Sequence, residues 1–319
     1  MKVLITGGAG FIGSNLVLGL LARGMTVRVL DNYSSGKRRN LEDLEGDVEV
    51  LEGDIRDMEA CERACRGMEA VLHQAALGSV AMSIEDPEAT HAVNVNGTLN
   101  MLLAARKSGV RRFLFASSSS VYGDAPERVK VESLPTRPQS PYAASKLAGE
   151  AYTIVFAKAY GLETMALRYF NIFGPRQDPD STYAAVIPRF ANKLLEGSRP
   201  TIFGDGGQTR DFTFVENVVR ANILGLMAPP GACGRAYNVA FGHTISIKEL
   251  FYLLRERIGG IARGLEPIHG PPQPGDVRDS LASIEEARMA LGYSPAVDVA
   301  QGLGVTIDWY RSQSAVKSI

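Results

Sequence analysis

The chain is poor in the residues that build metal centres and disulfide frameworks. Its 319 residues include three cysteines and four histidines. Cys61 and Cys65 stand four residues apart in a helix-like stretch, with no second pair and no histidine at ligand spacing, and Cys233 stands alone. The sequence therefore predicts neither a metal site nor a disulfide framework, and the reducing cytoplasm is the expected location.

A long apolar run and a dominant charge are also missing. No stretch reaches the roughly 18 apolar residues of a membrane span, and the first residues have the pattern of a strand rather than of a signal peptide. Lys and Arg number 34 against 35 Asp and Glu, which gives a net charge of −1. These features predict no membrane partner and no nucleic-acid partner, because both favour an excess of positive charge.

What is present is a regular alternation of short apolar runs with segments of helical period. The length suits one large domain or two closely joined ones. The strand-like runs are KVLITG, TVRVLD, VEVLEGD, AVLHQA, RRFLFAS and ETMALRYF. This alternation predicts an α/β fold: a Rossmann-type doubly wound parallel sheet, covered on both faces, with a smaller C-terminal region over its carboxyl edge.

The first strand runs directly into a glycine-rich turn. Gly7, Gly10 and Gly13 stand in TGGAGFIG, and the second strand ends in Asp31. Glycines at such a turn allow a pyrophosphate to approach the helix N-terminus, although a packed turn in any α/β protein could have the same pattern. A carboxylate at Asp31 accepts hydrogen bonds from the adenosine ribose and repels a 2′-phosphate. The loop therefore predicts NAD rather than NADP.

Three residues near this loop leave choices open. Lys37 and Arg38 follow Asp31 closely and would suit the 2′-phosphate of NADP. Asp54 ends the third strand, where it could hold the adenine amino group or cap the next helix.

Tyr142 and Lys146, in the run SPYAASK, predict the chemistry. Four residues apart on a helix, their side chains lie on one face. A nearby ammonium favours the phenolate and is expected to lower the pKa of the tyrosine from about 10. The pair alone could arise by chance, but together with a nucleotide loop it predicts redox chemistry on an alcohol or ketone.

With this loop, the motifs SSSSVYGD, SPYAASK and RYFNIFGP give the chain a family likeness. It resembles the extended short-chain dehydrogenase/reductase family, and within it the nucleotide-sugar 4-epimerases, especially bacterial UDP-N-acetylglucosamine 4-epimerases. The likeness runs nearly end to end, through HQAALGSV, NVNGTLNML, DGGQTRDF and GDVRDSLAS. It implies a NAD-binding Rossmann domain over residues 1–170, with 210–240 packing back on it, and a mainly UDP-sugar-binding region over 171–319.

The resemblance also implies residue roles by position. Ser118, Tyr142 and Lys146 would be catalytic, with Tyr142 as the acid–base residue and Lys146 on the nicotinamide ribose. The implied cofactor contacts are Gly7, Gly10, Phe11, Ile12, Gly13, Asp31, Asn32, Asp54, Ile55, Ala75, Asn94, Tyr142, Lys146 and Tyr169. The implied substrate contacts are Ser79, Ser118, Tyr142, Asn171, Val186, Phe203, Arg210, Gln273, Arg278 and Ser280. Val186 and Phe203 could instead be simple core residues.

Two serines distinguish between reactions on this scaffold. The 4,6-dehydratases carry Asp-Glu directly after their catalytic Thr, and the UDP-glucuronate decarboxylases carry a Glu just before VYG. Ser119 and Ser120 occupy those positions here, and serine has no ionised carboxylate for abstracting a proton. Epimerisation at C4 is therefore the expected reaction. A reductase, dehydratase or decarboxylase, or a catalytically silent dinucleotide-binding protein, remains the alternative.

The UDP diphosphate needs a clamp, and Arg210 and Arg278 are the candidates. A guanidinium binds phosphate bidentately, although each arginine could instead pair with the adjacent Asp211, Asp276 or Asp279. Related sequences usually have Arg where this chain has Gln273. A neutral amide makes weaker phosphate contacts, so the position of the clamp stays open.

Substrate size and assembly are the last expectations. Epimerases restricted to UDP-glucose and UDP-galactose can carry a Tyr at the position of Ser280, so the serine leaves room for an N-acetyl group. Ser79 and Ser83 could add polar contacts to that group or be solvated loop serines. The helices of GTLNMLLAARKSG and YAASKLAGEAYTIVFAKAY show more apolar surface than one core-facing stripe needs. In the family these helices pair across a two-fold axis, which implies a homodimer, and burial within one subunit is the alternative.

Overall fold

The computed structural model describes residues 1–42, 44–179, 185–272 and 278–316. Its strands are β1 (Lys2–Thr6), β2 (Thr26–Asp31), β3 (Val48–Glu52), β4 (Ala70–His73), β5 (Arg112–Ser118), β6 (Val129–Lys130), β7 (Glu163–Tyr169), β8 (Ile172–Phe173), β9 (Thr201–Phe203), β10 (Thr209–Arg210), β11 (Thr213–Phe214), β12 (Arg235–Val239), β13 (Ile245–Ser246), β14 (Ile268–Gly270) and β15 (Asp279–Ala282). Its helices are α1 (Phe11–Leu21), α2 (Met58–Cys65), α3 (Val80–Glu85), α4 (Pro87–His91), α5 (Gly97–Lys107), α6 (Pro141–Tyr160), α7 (Val186–Leu195), α8 (Val215–Met227), α9 (Ile247–Ile258), α10 (Glu285–Leu291) and α11 (Val299–Val316).

Seven parallel strands form the central sheet, in the order β12-β7-β5-β4-β1-β2-β3. Six of them are the runs that the sequence pattern predicts. The predicted fold class, a doubly wound parallel sheet of Rossmann type, is confirmed. The seventh strand, β12, was not predicted; it pairs with β7 at the edge of the sheet after a long excursion of the chain.

Alternate residues of the strands face two different helix layers. Val3 and Ile5 belong to one apolar cluster, with α1 and α8, whereas Leu4 between them belongs to another, with α2, α5 and part of α6. Successive side chains of a strand point to opposite faces, so the sheet is covered on both sides. Apolar runs without a polar alternation are the sequence signature of this double burial.

The smaller region has an apolar cluster of its own. Helices α7, α9 and α11 pack there with β8, β9 and β11, around aromatic side chains that include Phe190 and Phe251. Three small sheets accompany it, ordered β13-β10-β15-β6, β11-β8 and β14-β9. The pairing of β15 with β6 ties this region to the loop that follows β5.

The cysteines on α2 are buried free thiols. Burial raises the pKa of Cys61 and of Cys65 to about 12, so both stay protonated at neutral pH. Among the described residues there is no group of three or more His, Cys, Asp or Glu placed to hold a metal ion. Over the same residues, no helix is both long enough and apolar enough to cross a membrane.

Candidate active site

The glycine-rich turn after β1 leaves no room for a side chain at Gly7 or Gly13. Gly7 has φ +68°, and a Cβ there would lie 2.8 Å from the backbone N and Cα of Ala75. A Cβ on Gly13 would lie 2.0 Å from the carbonyl oxygen of Gly7. Gly10 caps α1 without a side-chain oxygen, so the first N–H groups of the helix remain available to an anion.

This turn forms one wall of a cavity of about 710 Å³ along the carboxyl ends of the strands. The cavity is long, since its lining includes residues that follow β1, β2, β3, β4, β5 and β7. The predicted cofactor residues that line it are Gly7, Gly10, Phe11, Ile12, Gly13, Asp31, Asn32, Asp54, Ile55, Ala75, Tyr142, Lys146 and Tyr169. A long cavity with an open helix N-terminus fits a dinucleotide.

Asp31 is held in place by backbone groups. Its carboxylate accepts the N–H of Ala9 at 2.9 Å and the N–H of Tyr33 at 2.8 Å, and it lines the cavity. Lys37 pairs with Asp178 at 2.5 Å, and Arg38 with Glu52 at 2.6 Å. The two cations that would suit a 2′-phosphate are thus neutralised by carboxylates, which favours NAD.

Asp54 is bound by the neighbouring arginine. Arg56 donates its Nε and Nη2 hydrogens to the two Asp54 carboxylate oxygens, at 3.0 and 2.7 Å. Asn32 donates to the same carboxylate. The hydrogen bond from Arg56 is the main reason why the pKa of Asp54 falls to about 2. The cap of α2 is Asp57, so of the two alternatives for Asp54, capping is excluded.

Tyr142 lies in the first turn of α6, over the end of β5. Ser140 caps this helix by accepting the N–H of Ala143, and Pro141 occupies its first position, where a missing N–H costs nothing. Ser118, the last residue of β5, lines the same cavity as Tyr142 and acts to lower its pKa. One turn later, the Lys146 Nζ donates to the carbonyl of Ala116 at 2.9 Å and lies 5.9 Å from the Tyr142 ring centroid. The three predicted catalytic residues therefore meet at one place.

The expected lowering of the pKa of Tyr142 by Lys146 is wrong for this structure. Burial raises the pKa of Tyr142, and the hydrogen bond with Ser118 opposes that rise only in part. The same burial lowers the pKa of Lys146 to about 8. A low dielectric disfavours both charged forms, and desolvation is the largest cause of each shift.

Asn94 does not line the cavity, in contrast to the expectation that it contacts the cofactor. Its amide accepts the N–H of Leu77 at 2.8 Å and donates to the Leu77 carbonyl and to Ser145 Oγ, both at 3.0 Å. Ser145 in turn donates to the carbonyl of Tyr142. Both N–H donors of the amide are engaged, and the residue is buried. Asn94 connects the loop after β4 to the start of α6.

Gln74 is a cavity residue that the sequence analysis missed. Asn222 Nδ2 donates to the Tyr169 hydroxyl at 2.9 Å, and this hydroxyl donates to Gln74 Oε1 at 3.3 Å. Gln74 Nε2 is buried, and no described residue of the chain accepts a hydrogen bond from it. Buried donors normally have an acceptor, so this orphaned N–H fits a cofactor oxygen. The only sequence signal was its position next to Ala75.

A second cavity, of about 220 Å³, adjoins the first. The two share Asn171, Ile172, Gln177 and Ala185 as lining residues. Four of the predicted substrate residues line the smaller cavity: Asn171, Val186, Phe203 and Arg210. Arg189 lines it as well, with its guanidinium 5.8 Å from the Phe203 ring centroid. Its position three residues after Val186 on α7 was the available signal, because such residues share a helix face.

Of the other predicted substrate residues, Ser118 and Tyr142 line the larger cavity, whereas Ser79, Arg278 and Ser280 line neither. Ser79 caps α3, accepting the N–H of Met82, and Ser83 is fully buried, with its hydroxyl donating to Val80 O and accepting the Tyr142 N–H. The buried Ser83 hydroxyl supports the backbone, whereas Ser79 keeps its hydroxyl proton, so its contact with an acetamido group stays a prediction.

The two clamp candidates differ in their surroundings. Arg278 is exposed and pairs with Asp205 at 3.6 Å, so a surface ion pair describes it better than a diphosphate contact. Arg210 lines the smaller cavity, and Ser280 is its partner in register on the neighbouring strand β15. Gln273 lies outside the described residues.

Comparison with known proteins agrees with this geometry. The model of the NAD dependent epimerase/dehydratase family matches residues 3–240. A UDP-glucose 4-epimerase of Mycolicibacterium smegmatis is 39% identical, over 98% of this chain and 100% of the relative. Two solved structures are similar to it: a UDP-N-acetylglucosamine 4-epimerase of Methanobrevibacter ruminantium in complex with UDP-N-acetylmuramic acid, and a UDP-glucose 4-epimerase of Thermus thermophilus in complex with NAD.

The similarity extends over nearly the whole chain. The Methanobrevibacter structure has a TM-score of 0.92 and 37% identity, and it covers 98% of both chains. The Thermus structure has a TM-score of 0.86 and 41% identity, and it covers 98% of this chain and 99% of its own. The predicted NAD cofactor, the enzyme class and the family likeness are confirmed. The chain belongs to the NAD dependent epimerase/dehydratase family, within the extended short-chain dehydrogenases/reductases.

Proposed function

We propose that this protein is a UDP-sugar 4-epimerase that inverts C4 of UDP-GlcNAc and UDP-GalNAc and also accepts UDP-Glc and UDP-Gal. The observation that carries the proposal is the joining of two cavities. The larger one contains Ser118, Tyr142 and Lys146, and the smaller one shares a wall with it and contains Arg210. A nucleotide diphosphate in the smaller cavity would present its sugar to the hydroxyl pair in the larger one.

Each catalytic side chain has a part in the reaction. The Tyr142 oxygen takes the proton of the sugar 4-OH in the first half-reaction and returns it in the second. Ser118, hydrogen-bonded to Tyr142, orients that proton. Lys146 would hold the ribose hydroxyls of the cofactor and supply positive charge. NAD⁺, when bound, would supply the hydride acceptor for C4 and regenerate in the second half-reaction, so no net cofactor would be consumed.

The positions of the carboxylates in the larger cavity favour epimerisation over elimination. Among the described residues that line it, the acidic ones are Asp31 and Asp54, at the ends of β2 and before α2. The residues beside Ser118 are Ser119 and Ser120. A dehydratase needs an acid and a base at the sugar to remove water across C5–C6, and neither serine can be that base at neutral pH.

Cations of the smaller cavity suit a diphosphate. Arg210 and Arg189 both line it, and burial lowers the pKa of Arg189 without bringing an arginine near neutrality. Two guanidinium groups in one half-buried cavity are stabilised by a dianionic ligand. Asn171 Nδ2 donates to the carbonyl of Asp211, which holds Asn171 in the wall that the two cavities share.

The proposal includes a homodimer built on α5 and α6. Leu103 on α5 is 37% exposed, and Tyr152 and Val155 on α6 are 40% and 51% exposed. Helices α5 and α6 pack side by side, so these side chains can form one continuous apolar face. We expect light scattering at micromolar concentration to give the mass of a dimer, and Val155→Arg to shift it to a monomer. A monomeric mass for the unaltered protein would contradict this part of the proposal.

The test of function is a product analysis with four substrates. The purified protein, without added cofactor, is mixed in turn with UDP-Glc, UDP-Gal, UDP-GlcNAc and UDP-GalNAc. We expect each pair to reach the same product ratio from either side, with no net change in NADH. Accumulation of a 4-keto sugar would indicate a dehydratase, carbon dioxide release a decarboxylase, and net consumption of NADH a reductase.

A further inference from the structure

The hydroxyl of Ser118 is held by the turn that follows it. Ser119–Tyr122 form a single 3-10 turn, and Ser118 is its N-cap. The Ser118 Oγ accepts the backbone N–H of Ser120 at 3.2 Å and the Ser120 hydroxyl at 2.9 Å. A hydroxyl has one proton and two lone pairs, so these two bonds occupy both acceptor positions of Ser118.

The proton of Ser118 is therefore the group left for Tyr142. A hydroxyl free to rotate could accept from the neutral phenol or donate to it, but this one is restricted to donating. A donated hydrogen bond is stronger when the acceptor is charged, so it favours the phenolate form of Tyr142. This direction agrees with the effect of Ser118 on Tyr142, which opposes that of burial.

We infer that Ser120 is a positioning residue for the epimerase reaction: its hydroxyl and backbone N–H fix Ser118 as a permanent donor to Tyr142. The inference rests on the proposed function and adds a third hydroxyl to its proton path. Ser119 is the natural comparison, because it belongs to the same turn and lines the same cavity. In the described part of the chain, the Ser119 hydroxyl makes no bond to Ser118.

Few other groups near Tyr142 can stabilise its phenolate form. Lys146 faces it from one turn along α6, and its pKa is about 8. His73, at the end of β4, interacts with Lys146 and remains neutral, since burial lowers its pKa to about 3. From α3, Ser83 accepts the N–H of Tyr142 and carries no charge. Ser120→Ala leaves all three in place, so a changed pH dependence would report the bond between Ser118 and Tyr142.

The test compares Ser120→Ala, Ser119→Ala and Ser120→Thr. Reduction of the bound cofactor by UDP-sugar in a single turnover is followed against pH, and KM is measured in the steady state. Loss of one hydrogen bond predicts a reduction rate about 3- to 10-fold lower in Ser120→Ala, with KM within about twofold and the acid limb moved to higher pH. Ser119→Ala should leave the pH profile unmoved, because its hydroxyl makes no bond to Ser118, and Ser120→Thr, which keeps the hydroxyl, should recover most of the rate. An unmoved pH profile in Ser120→Ala, or a Thr variant as slow as the Ala variant, would overturn the inference.

A second measurement separates this inference from the proposed function. Tyrosine absorbance is titrated in Ser120→Ala and in the unaltered protein, each with Tyr142→Phe added as the blank, so that Tyr142 is followed without any turnover. We expect the Tyr142 titration to lie at higher pH in Ser120→Ala. Equal titrations would refute the role of Ser120, whichever sugar is turned over. If cofactor reduction occurs but the product is not the 4-epimer, the epimerase proposal fails and the comparison of serines still stands.

Discussion

Glu150 and Arg168 form a bidentate ion pair that is buried directly behind the catalytic residues. The Glu150 carboxylate lies on α6, one turn beyond Lys146, and accepts Arg168 Nη2 at 2.6 Å and Nε at 3.0 Å. The Arg168 side chain is 6% exposed and that of Glu150 is 4% exposed. Ser117, next to Ser118, donates to the same carboxylate at 2.6 Å. Glu150 thus connects the helix of Tyr142 to two neighbouring strands: to β7 through Arg168, and to β5, the strand of Ser118, through Ser117.

Removing one member of this pair should strongly destabilise the fold. We expect Glu150→Gln to lower the free energy of unfolding by about 3–5 kcal/mol, because Arg168 would be left as an uncompensated buried charge. Glu285 and Arg288 form an exposed pair at 2.6 Å and provide the control. Glu285→Gln should leave the midpoint of urea denaturation almost unchanged, because water screens an exposed pair. Equal losses in urea denaturation would show that the buried pair does not stabilise the site.

Tyr142→Phe should remove most of the activity and leave the fold intact. A positioned acid–base group contributes roughly 10²–10⁴ to the rate, so we expect kcat to fall by that factor. The variant should still purify with NAD, since the glycine turn is unchanged. Near-normal turnover would rule out Tyr142 as the acid–base residue.

The buried amine of Lys146 should appear in the pH dependence of stability. Its pKa falls from 10.5 to about 8 on folding. Between these values the unfolded chain binds a proton that the folded chain does not, so this residue makes stability rise with pH. Below about pH 8 both states are protonated and the cost of burying the charge is present in full. We expect the unfolding free energy of the unaltered protein, relative to that of Lys146→Met, to rise from about pH 8 to 10.5.

The control for this measurement is Lys158→Met, which removes an exposed charge from the same helix. If the difference for Lys146→Met follows that for Lys158→Met over this range, the Lys146 ammonium is not destabilised by burial.

Gly13→Ala should abolish cofactor binding. The new Cβ would lie 2.0 Å from the Gly7 carbonyl oxygen and would force the turn open. A Cβ added at Gly231 would meet no atom within 4 Å, so Gly231→Ala is the matched control. We expect the first variant to purify free of NAD(H) and the second to retain it, as judged by extraction and absorbance. Retention of NAD(H) by Gly13→Ala would contradict the assigned cofactor site.

Ser280→Tyr should exclude the acetylated sugars. Ser280 and Arg210 are neighbours in register on parallel strands, so their side chains share one face of that sheet. A tyrosine there would fill space beside the diphosphate cavity, and relieving the clash would cost roughly 1–3 kcal/mol. We expect turnover of UDP-GlcNAc to be lost and that of UDP-Glc to be kept. A Tyr variant that still turns over UDP-GlcNAc would place the size limit elsewhere.

The parts of the fold that depend on local pattern were predictable from the sequence. Strand runs, the glycine turn and the Tyr142–Lys146 spacing are local signals, and the structure places each as predicted. Pairing of β12 depends on contacts with β7 from about 70 residues earlier, which no local pattern encodes. The orphaned amide of Gln74 becomes visible only once Tyr169 and Asn222 are placed in space.

The predicted pKa shift and ion-pair partner were less accurate than the predicted positions of residues. The sequence places an ammonium near a phenol, but it does not reveal how deeply both are buried. Desolvation of Tyr142 and Lys146 reverses the expected shift. Likewise the partner of Arg278 is Asp205, which is distant in sequence, rather than an adjacent aspartate.

The late arrival of β12 in the sheet has a consequence for how the chain can be made and divided. Tyr237 and Val239 share an apolar cluster with Met165 and Leu167, and α8 covers the same cluster with Val218. A nascent chain that has reached only residue 170 would expose β7 as an open edge, which is a template for pairing with other chains. The first half of the protein therefore cannot complete its core until α8 and β12 have been synthesised.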